Sequence, residues 1–220
     1  MTILGYYVKE YETDRDFHLS MALPCHIRDV PLLEKYCLPS ISRLDPKPDS
    51  VIISLNDGHE LGLKGIRLDL FDKAFNEYGA DVIFSYGVDA IFRKHIMRFA
   101  RTDMIVAVEW LPLRPFTIIT RSIVNFSRGR GWSGSYFLPR DIWYNFCRKK
   151  FGGRDSDVLQ VVSPEMKRGT QAYYQWIKVP QIYQVRLNRS AYIDKIKNGW
   201  DGQHYTKVQK ILKLIQVFDF

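Results

Sequence analysis

Four apolar runs of strand length, each separated by a stretch with helical periodicity, constrain this chain most. The runs are His18 to Pro24, Ser50 to Leu55, Asp81 to Ser85 and Met104 to Val108. A run that is apolar without alternation belongs to a strand covered on both faces, the situation of parallel sheets packed between helices. The stretches between them fit that role. Asp29-Val30-Pro31 is an N-cap followed by a proline suited to a first helical turn. Leu33, Tyr36, Cys37, Ile41 and Leu44 then recur at helical spacing, and Pro39 predicts a kink. Leu63, Ile66, Leu70, Ala74, Phe75 and Tyr78 form one helical face, with Arg67, Asp69, Lys73 and Glu77 off it and Gly79 as terminator. Ile91, His95, Ile96 and Phe99 suggest another helix, with Arg93, Lys94 and Arg98 outward. The alternation predicts an α/β fold with a mostly parallel central sheet flanked by helices.

Such sheets bind ligands beyond the carboxyl ends of their strands. Those ends are Cys25-His26, Asn56-Asp57-Gly58 and Gly87-Val88-Asp89, so Asp57 and Asp89 are expected to end adjacent strands and face one cleft. The rhythm dissolves after Pro112. Residues 112–140 hold Arg114, Arg121, Arg128 and Arg130 among Gly129, Gly131 and Gly134, which reads as a mobile basic loop region. Regularity returns from Thr206 to Phe218. There Val208, Ile211, Leu212, Ile215 and Phe218 make an apolar face beside Lys207, Lys210 and Lys213. This predicts an amphipathic helix that docks on the domain or rests on an anionic membrane surface. With no repeat and no flexible linker, residues 1–220 read as a single domain.

Composition narrows the function. Lys+Arg number 32 against 24 for Asp+Glu, a net charge of 32 − 24 = +8, which calls for an anionic partner. Nucleic acid, a nucleotide diphosphate and an anionic membrane surface all qualify. A hydrophobic content of 46% excludes a largely disordered chain. No apolar run approaches the roughly 20 residues that a spanning helix needs. The N-terminus lacks a signal-peptide pattern, and Cys25, Cys37 and Cys147 read as reduced thiols, so a cytoplasmic location is expected. There is no Walker-type loop and no Ser-His-Asp arrangement, and the five histidines share no metal-ligand spacing.

The order of motifs resembles a GT-A fold glycosyltransferase, most nearly the inverting family 2 enzymes. The first strand ends at Pro24, the second in an Asp-containing turn at Asp57, and the third in a short acidic motif at Asp89. Gly134-Ser135-Tyr136-Phe137-Leu138-Pro139-Arg140 resembles the stretch before the family's acceptor loop. Gly153-Arg154-Asp155-Ser156-Asp157-Val158 resembles its Gly-Glu-Asp-x-Asp-Leu element, with Arg154 in place of the Glu. The resemblance implies a nucleotide-binding half over about residues 17–110, an acceptor half over about 111–205 and a terminal helix over about 206–218.

It also implies roles. Pro24, Asp57 and Asp89 would hold the nucleotide of a nucleotide-diphosphate sugar, Asp57 by accepting a hydrogen bond from the base. Arg128 and Arg130 would fold over the diphosphate with bidentate geometry. Asp155 would be the general base toward the acceptor hydroxyl, with Asp157 shaping the loop beside it. The family's metal motif is Asp-x-Asp, and here Gly87 stands at its first position, so Mg²⁺ or Mn²⁺ would rest on Asp89 and mainly on substrate phosphates. The expected activity is inverting glycosyl transfer to an acceptor hydroxyl, at the cytoplasm or the inner membrane surface. Two other functions fit the same residues. One is a nucleic-acid-binding protein using the basic loop and aromatics. The other is a catalytically inactive GT-A-like interaction protein, which Gly87 makes credible.

Overall fold

The computed structural model describes residues 3–57, 63–88, 90–111, 135–152, 158 and 174–184. They build one mixed sheet whose strands are β1 (Ile3–Glu10), β2 (Leu19–His26), β3 (Ser50–Asn56), β4 (Val82–Ser85), β5 (Ala90–Phe92), β6 (Ile105–Leu111), β7 (Ser135–Pro139) and β8 (Tyr174–Gln184). Across the sheet the order is β1-β3-β2-β4-β7-β6-β8-β5. β2 is parallel to β3 and to β4, and β6 is parallel to β8, while β1, β7 and β5 run against their neighbours. Five strands (β2, β3, β4, β6, β8) therefore point one way, in the sense the apolar runs lead one to expect.

Side-chain alternation along the central strands feeds two cores. Leu19, Met21, Leu23 and Cys25 of β2, Val51 and Ile53 of β3 and Val82 and Phe84 of β4 join one of them. Helix α1 covers this face. It spans residues 30–42, with α-helical ends at Val30–Leu32 and Leu38–Ser42 around a wide π turn at Leu33–Cys37. Leu33, Cys37 and Ile41 of α1 enter the same core. The wide turn ends two residues before Pro39, and the helix continues through the proline to Ser42. Ala22, Ile52 and Ile83 point the other way, toward α2 (residues 63–77, starting with Leu63–Asp72) and α3 (residues 140–150). Leu70, Phe71, Ala74 and Phe75 of α2 pack there with Ile142, Trp143 and Cys147 of α3. Phe71, Trp143 and Phe151 meet with centroids 5.2–5.9 Å apart, two of the pairs edge-to-face. The α/β sheet lies between two helical layers, as expected from the sequence.

Several local expectations change. Ile3–Glu10 forms an antiparallel edge strand that the apolar-run pattern does not signal. The helix expected from Ile91 begins instead as strand β5, buried throughout and paired with β8, with a short 3₁₀ turn at Ile96–Phe99. Ser135–Pro139, expected within a loop, is a strand between β4 and β6. Arg67, expected off the apolar face of its helix, is only 7% exposed. Gly79 does end the α2 segment, at φ +68°, in the left-handed region glycine adopts without penalty. Residues 206–218, the expected terminal helix, lie outside the described residues. Among the described residues no helix is long and apolar enough to cross a membrane. All three cysteines are buried free thiols.

Candidate functional site

Chain connectivity selects one place on this sheet. From β2 the chain leaves toward α1, on one face; from its neighbour β3 it leaves toward α2, on the other. Adjacent parallel strands whose outgoing connections diverge leave a crevice at their carboxyl ends, where open α/β sheets bind ligands. That edge is formed by Pro24-Cys25-His26 and Ser54-Leu55-Asn56, which are paired in register.

This edge is braced by Asn56. The side chain is 1% exposed, and its Nδ2 donates to the Cys25 carbonyl at 3.0 Å and to the Ser54 carbonyl at 3.4 Å. One amide thereby ties the ends of both strands and fixes where the chain emerges into Asp57. Asp57 itself is exposed at the rim. Pro24 is buried in β2 two residues past Ala22–Ser85, the last pair between β2 and β4. A proline lacks the N–H that continued pairing would need, and here it stands where the ladder to β4 has already stopped. Beyond Ser85 the chain turns toward the α1 face, with Tyr86 and Val88 2% and 3% exposed in that core and Gly87 between them.

Of the residues expected from sequence, Pro24 and Asp57 therefore share this edge. Asp57 does not end a strand adjacent to that of residue 89, because β2 separates β3 from β4; both strands nevertheless point to the same edge. Asp89, Arg128, Arg130, Asp155 and Asp157 lie outside the described residues. Among the described residues no three of His, Cys, Asp and Glu are grouped to hold a metal, and Gly87 offers no side chain.

The structure adds residues that the pattern passed over. Ser54 and Ser85 lie within apolar strands, each fully buried, and neither hydroxyl has a hydrogen-bond partner among the described residues. Arg67 of α2 is a buried charged side chain. A serine inside an otherwise aliphatic strand is the signal that would have marked the first two.

No protein-family model matches the chain, and no curated protein matches it. Among solved structures it is similar to the crystal structure of a glycosyltransferase involved in the glycosylation of the major capsid of PBCV-1. That similarity has a TM-score of 0.45 and 10% sequence identity, over 80% of this chain and 98% of the other. A structural neighbour of the chain is thus a glycosyltransferase, and no residue role is carried over from it.

Proposed function

We propose that this protein is a glycosyltransferase of GT-A type, moving a sugar from a nucleotide-diphosphate donor to an acceptor hydroxyl with inversion. The observation that carries the reading is the shared carboxyl edge of β2 and β3, from which the chain diverges to opposite faces, with Pro24 and Asp57 on it and the buried Asn56 amide bracing it. Asp57 accepts a hydrogen bond from a base N–H. The sugar and diphosphate then lie along the same edge toward the end of β4, where Asp89 follows in sequence, and Arg128 and Arg130 neutralise the leaving group.

In the transfer, Asp155 takes the proton of the acceptor hydroxyl as the acceptor oxygen bonds to the anomeric carbon. The bond from that carbon to the diphosphate oxygen breaks, and its electron pair stays on the phosphate. Inversion needs one base and no carboxylate nucleophile. The motif order from Gly134 to Val158 supports these assignments, as does a net charge of +8 for a polyanionic donor.

The test is a thermal-shift screen of the full chain against nucleoside diphosphates and nucleotide sugars, with turnover then measured on the donor found. A ligand at 100 times its Kd stabilises the fold by about 2.7 kcal/mol. Asp155→Asn is expected to keep donor affinity within a few-fold and to cut turnover by about 10² or more. No shift with any nucleotide would overturn the proposal, as would full turnover in both Asp155→Asn and Asp157→Asn.

A further inference from the structure

From Ile142 to Arg154 the chain carries no acid, while Arg148, Lys149, Lys150 and Arg154 bring four cations. Arg148 is committed to the fold, its Nε and Nη2 donating to the Asp72 carboxylate of α2 at 3.1 and 2.7 Å. Tyr144, one turn earlier, donates to Asn76 of α2 at 3.1 Å. One side of α3 is thus fixed against α2. Phe146, Lys149 and Lys150 lie off that side and are exposed, Phe146 at 38%. Both lysines follow Phe146 at the spacing of neighbours on a helix surface. Neither belongs to an ion pair among the described residues.

This end of α3 lies toward the carboxyl edge of the sheet. Pro139 pairs with Val82 at the start of β4, and Arg140 N donates to the Asp81 carbonyl at 2.8 Å, so α3 begins at the amino edge. From Arg140 to Lys150 the helix rises about 15 Å, the advance of four to five strand residues. Counted from the Leu19–Val82 pair, that advance reaches the level of Leu23 and Pro24.

An aromatic ring left partly in water, beside two ammonium groups on flexible stems, matches an anionic lipid surface. The ring enters the headgroup boundary, the stems lie along it and the charges meet lipid phosphates. Nucleic acid is the poorer match. Its affinity comes from many simultaneous phosphate contacts, and this flank offers two lysines on the outside of a helix.

We propose that the flank of α3 formed by Phe146, Lys149 and Lys150 docks this protein on an anionic lipid surface. The contact is weak and reversible, because few cations and one apolar side chain contribute to it. It sets the carboxyl edge, with Asp57, toward the lipid. The inference is independent of the glycosyltransferase reading and of residues 206–218.

The test is flotation of the full chain with vesicles of phosphatidylcholine alone and of phosphatidylcholine mixed with phosphatidylserine. Wild type is expected to float with the mixed vesicles only, and less as salt rises. Lys149→Ala combined with Lys150→Ala should lower partitioning about tenfold or more, at roughly fivefold per lysine. Phe146→Ala should lower it several-fold. Lys9→Ala combined with Lys35→Ala removes the same charge from exposed positions on β1 and on α1, which covers the opposite face of the sheet, and should leave partitioning within about two-fold. The lysine variants change only exposed side chains and keep the melting temperature, so they carry the test if Phe146→Ala destabilises the fold. Absence of flotation with mixed vesicles would overturn the proposal, as would flotation that survives loss of Lys149 and Lys150 or falls equally with either lysine pair. Binding of a single-stranded oligonucleotide that depends on Lys149 and Lys150, without flotation, would overturn it in favour of nucleic acid.

Discussion

At the amino edge of β2, β3 and β4 two aspartates hold main-chain amides, whereas at the carboxyl edge of the same strands the acid is exposed. Asp49 precedes β3 and Asp81 precedes β4, and each accepts from the start of β2: Asp49 from Leu19 N at 2.7 Å, Asp81 from His18 N at 2.8 Å. The backbone reciprocates, with Asp49 N and Asp81 N donating to the Leu19 and His18 carbonyls, each at 2.8 Å. Thr13 donates to the second Asp49 oxygen, Ser20 and Ser50 share a bond of 2.6 Å, and Arg15 donates to the Lys47 and Met97 carbonyls. Burial lowers the pKa of the Arg15 guanidinium, and the charge of Asp49 opposes that shift. At the other edge Asn56 bridges β2 and β3, the Ser54 and Ser85 hydroxyls have no partner among the described residues, and Asp57 is exposed. One end of the sheet is stabilised by a network of its polar groups, and the other retains two buried hydroxyls, those of Ser54 and Ser85, without a partner among the described residues. Groups of the second kind cost stability, so their retention points to a ligand.

The contrast breaks most sharply at Asp49. Asp49→Ala leaves the Leu19 amide and the Thr13 hydroxyl without their acceptor and removes the charge nearest the Arg15 Nε, 4.0 Å away. The expected loss is about 3 kcal/mol, or roughly 6–12 °C in melting temperature for a chain of this size. Nucleotide affinity should stay within about two-fold, since the change is at the far end of the strands. A large fall in affinity in a protein that remains folded would erase the division between the edges.

The core supplies a control for burial alone. Burial pushes the Cys147 thiol from 9.0 up to about 12. Between those values the unfolded chain releases the proton and the folded chain keeps it. This contribution to stability is therefore complete below about pH 9 and falls by about 1.4 kcal/mol per pH unit above it. Denaturant midpoints of wild type and Cys147→Ala, compared at pH 8 and pH 10, should converge as pH rises. Parallel behaviour of the two proteins would show that the thiol ionises freely.

Asp57→Ala addresses the carboxyl edge directly. Its exposure predicts a stability change within about 0.5 kcal/mol. Nucleoside-diphosphate affinity should fall about tenfold, equivalent to about 1.4 kcal/mol. A destabilisation comparable to that of Asp49→Ala would mean that both edges do structural work.

How much of this was legible follows from the same physics. The strands β2, β3, β4 and β6 announce themselves because burial on both faces makes their sequences continuously apolar. β1 did not, because an antiparallel edge strand with mixed exposure interrupts its apolar residues with Gly5, Lys9 and Glu10. β5 has three residues, and the spacing of Ile91, Ile96 and Phe99 imitates a helix when nothing reports the partner strand β8. The sequence pattern puts Arg67 off the apolar helix face because charge is normally solvated. Only tertiary structure shows that Arg67 is 7% exposed. Strand-end logic brings Pro24 and Asp57 to one edge but cannot order β3, β2 and β4, since nothing in an apolar run says which neighbour it pairs with.

Ser85→Ala carries the smallest expected effect and tests the meaning of unpartnered groups most cleanly. Ser85 pairs in register with Ala22 on one side and Tyr136 on the other, and it is fully buried on the face that α2 and α3 cover. Its hydroxyl has no partner among the described residues, so its removal deletes a desolvated polar atom and leaves a methyl in nearly the same volume. Such a change is neutral or stabilising, by up to about 0.5 kcal/mol, because no bond is lost and an uncompensated burial is relieved. The same replacement at the amino edge, Ser20→Ala, breaks the 2.6 Å bond to Ser50 and should cost about 1 kcal/mol. Denaturant unfolding of the two variants gives a difference in sign as well as size. If Ser85→Ala instead costs as much as Ser20→Ala, the Ser85 hydroxyl is satisfied in the native protein, and the carboxyl edge is built as tightly as the amino edge.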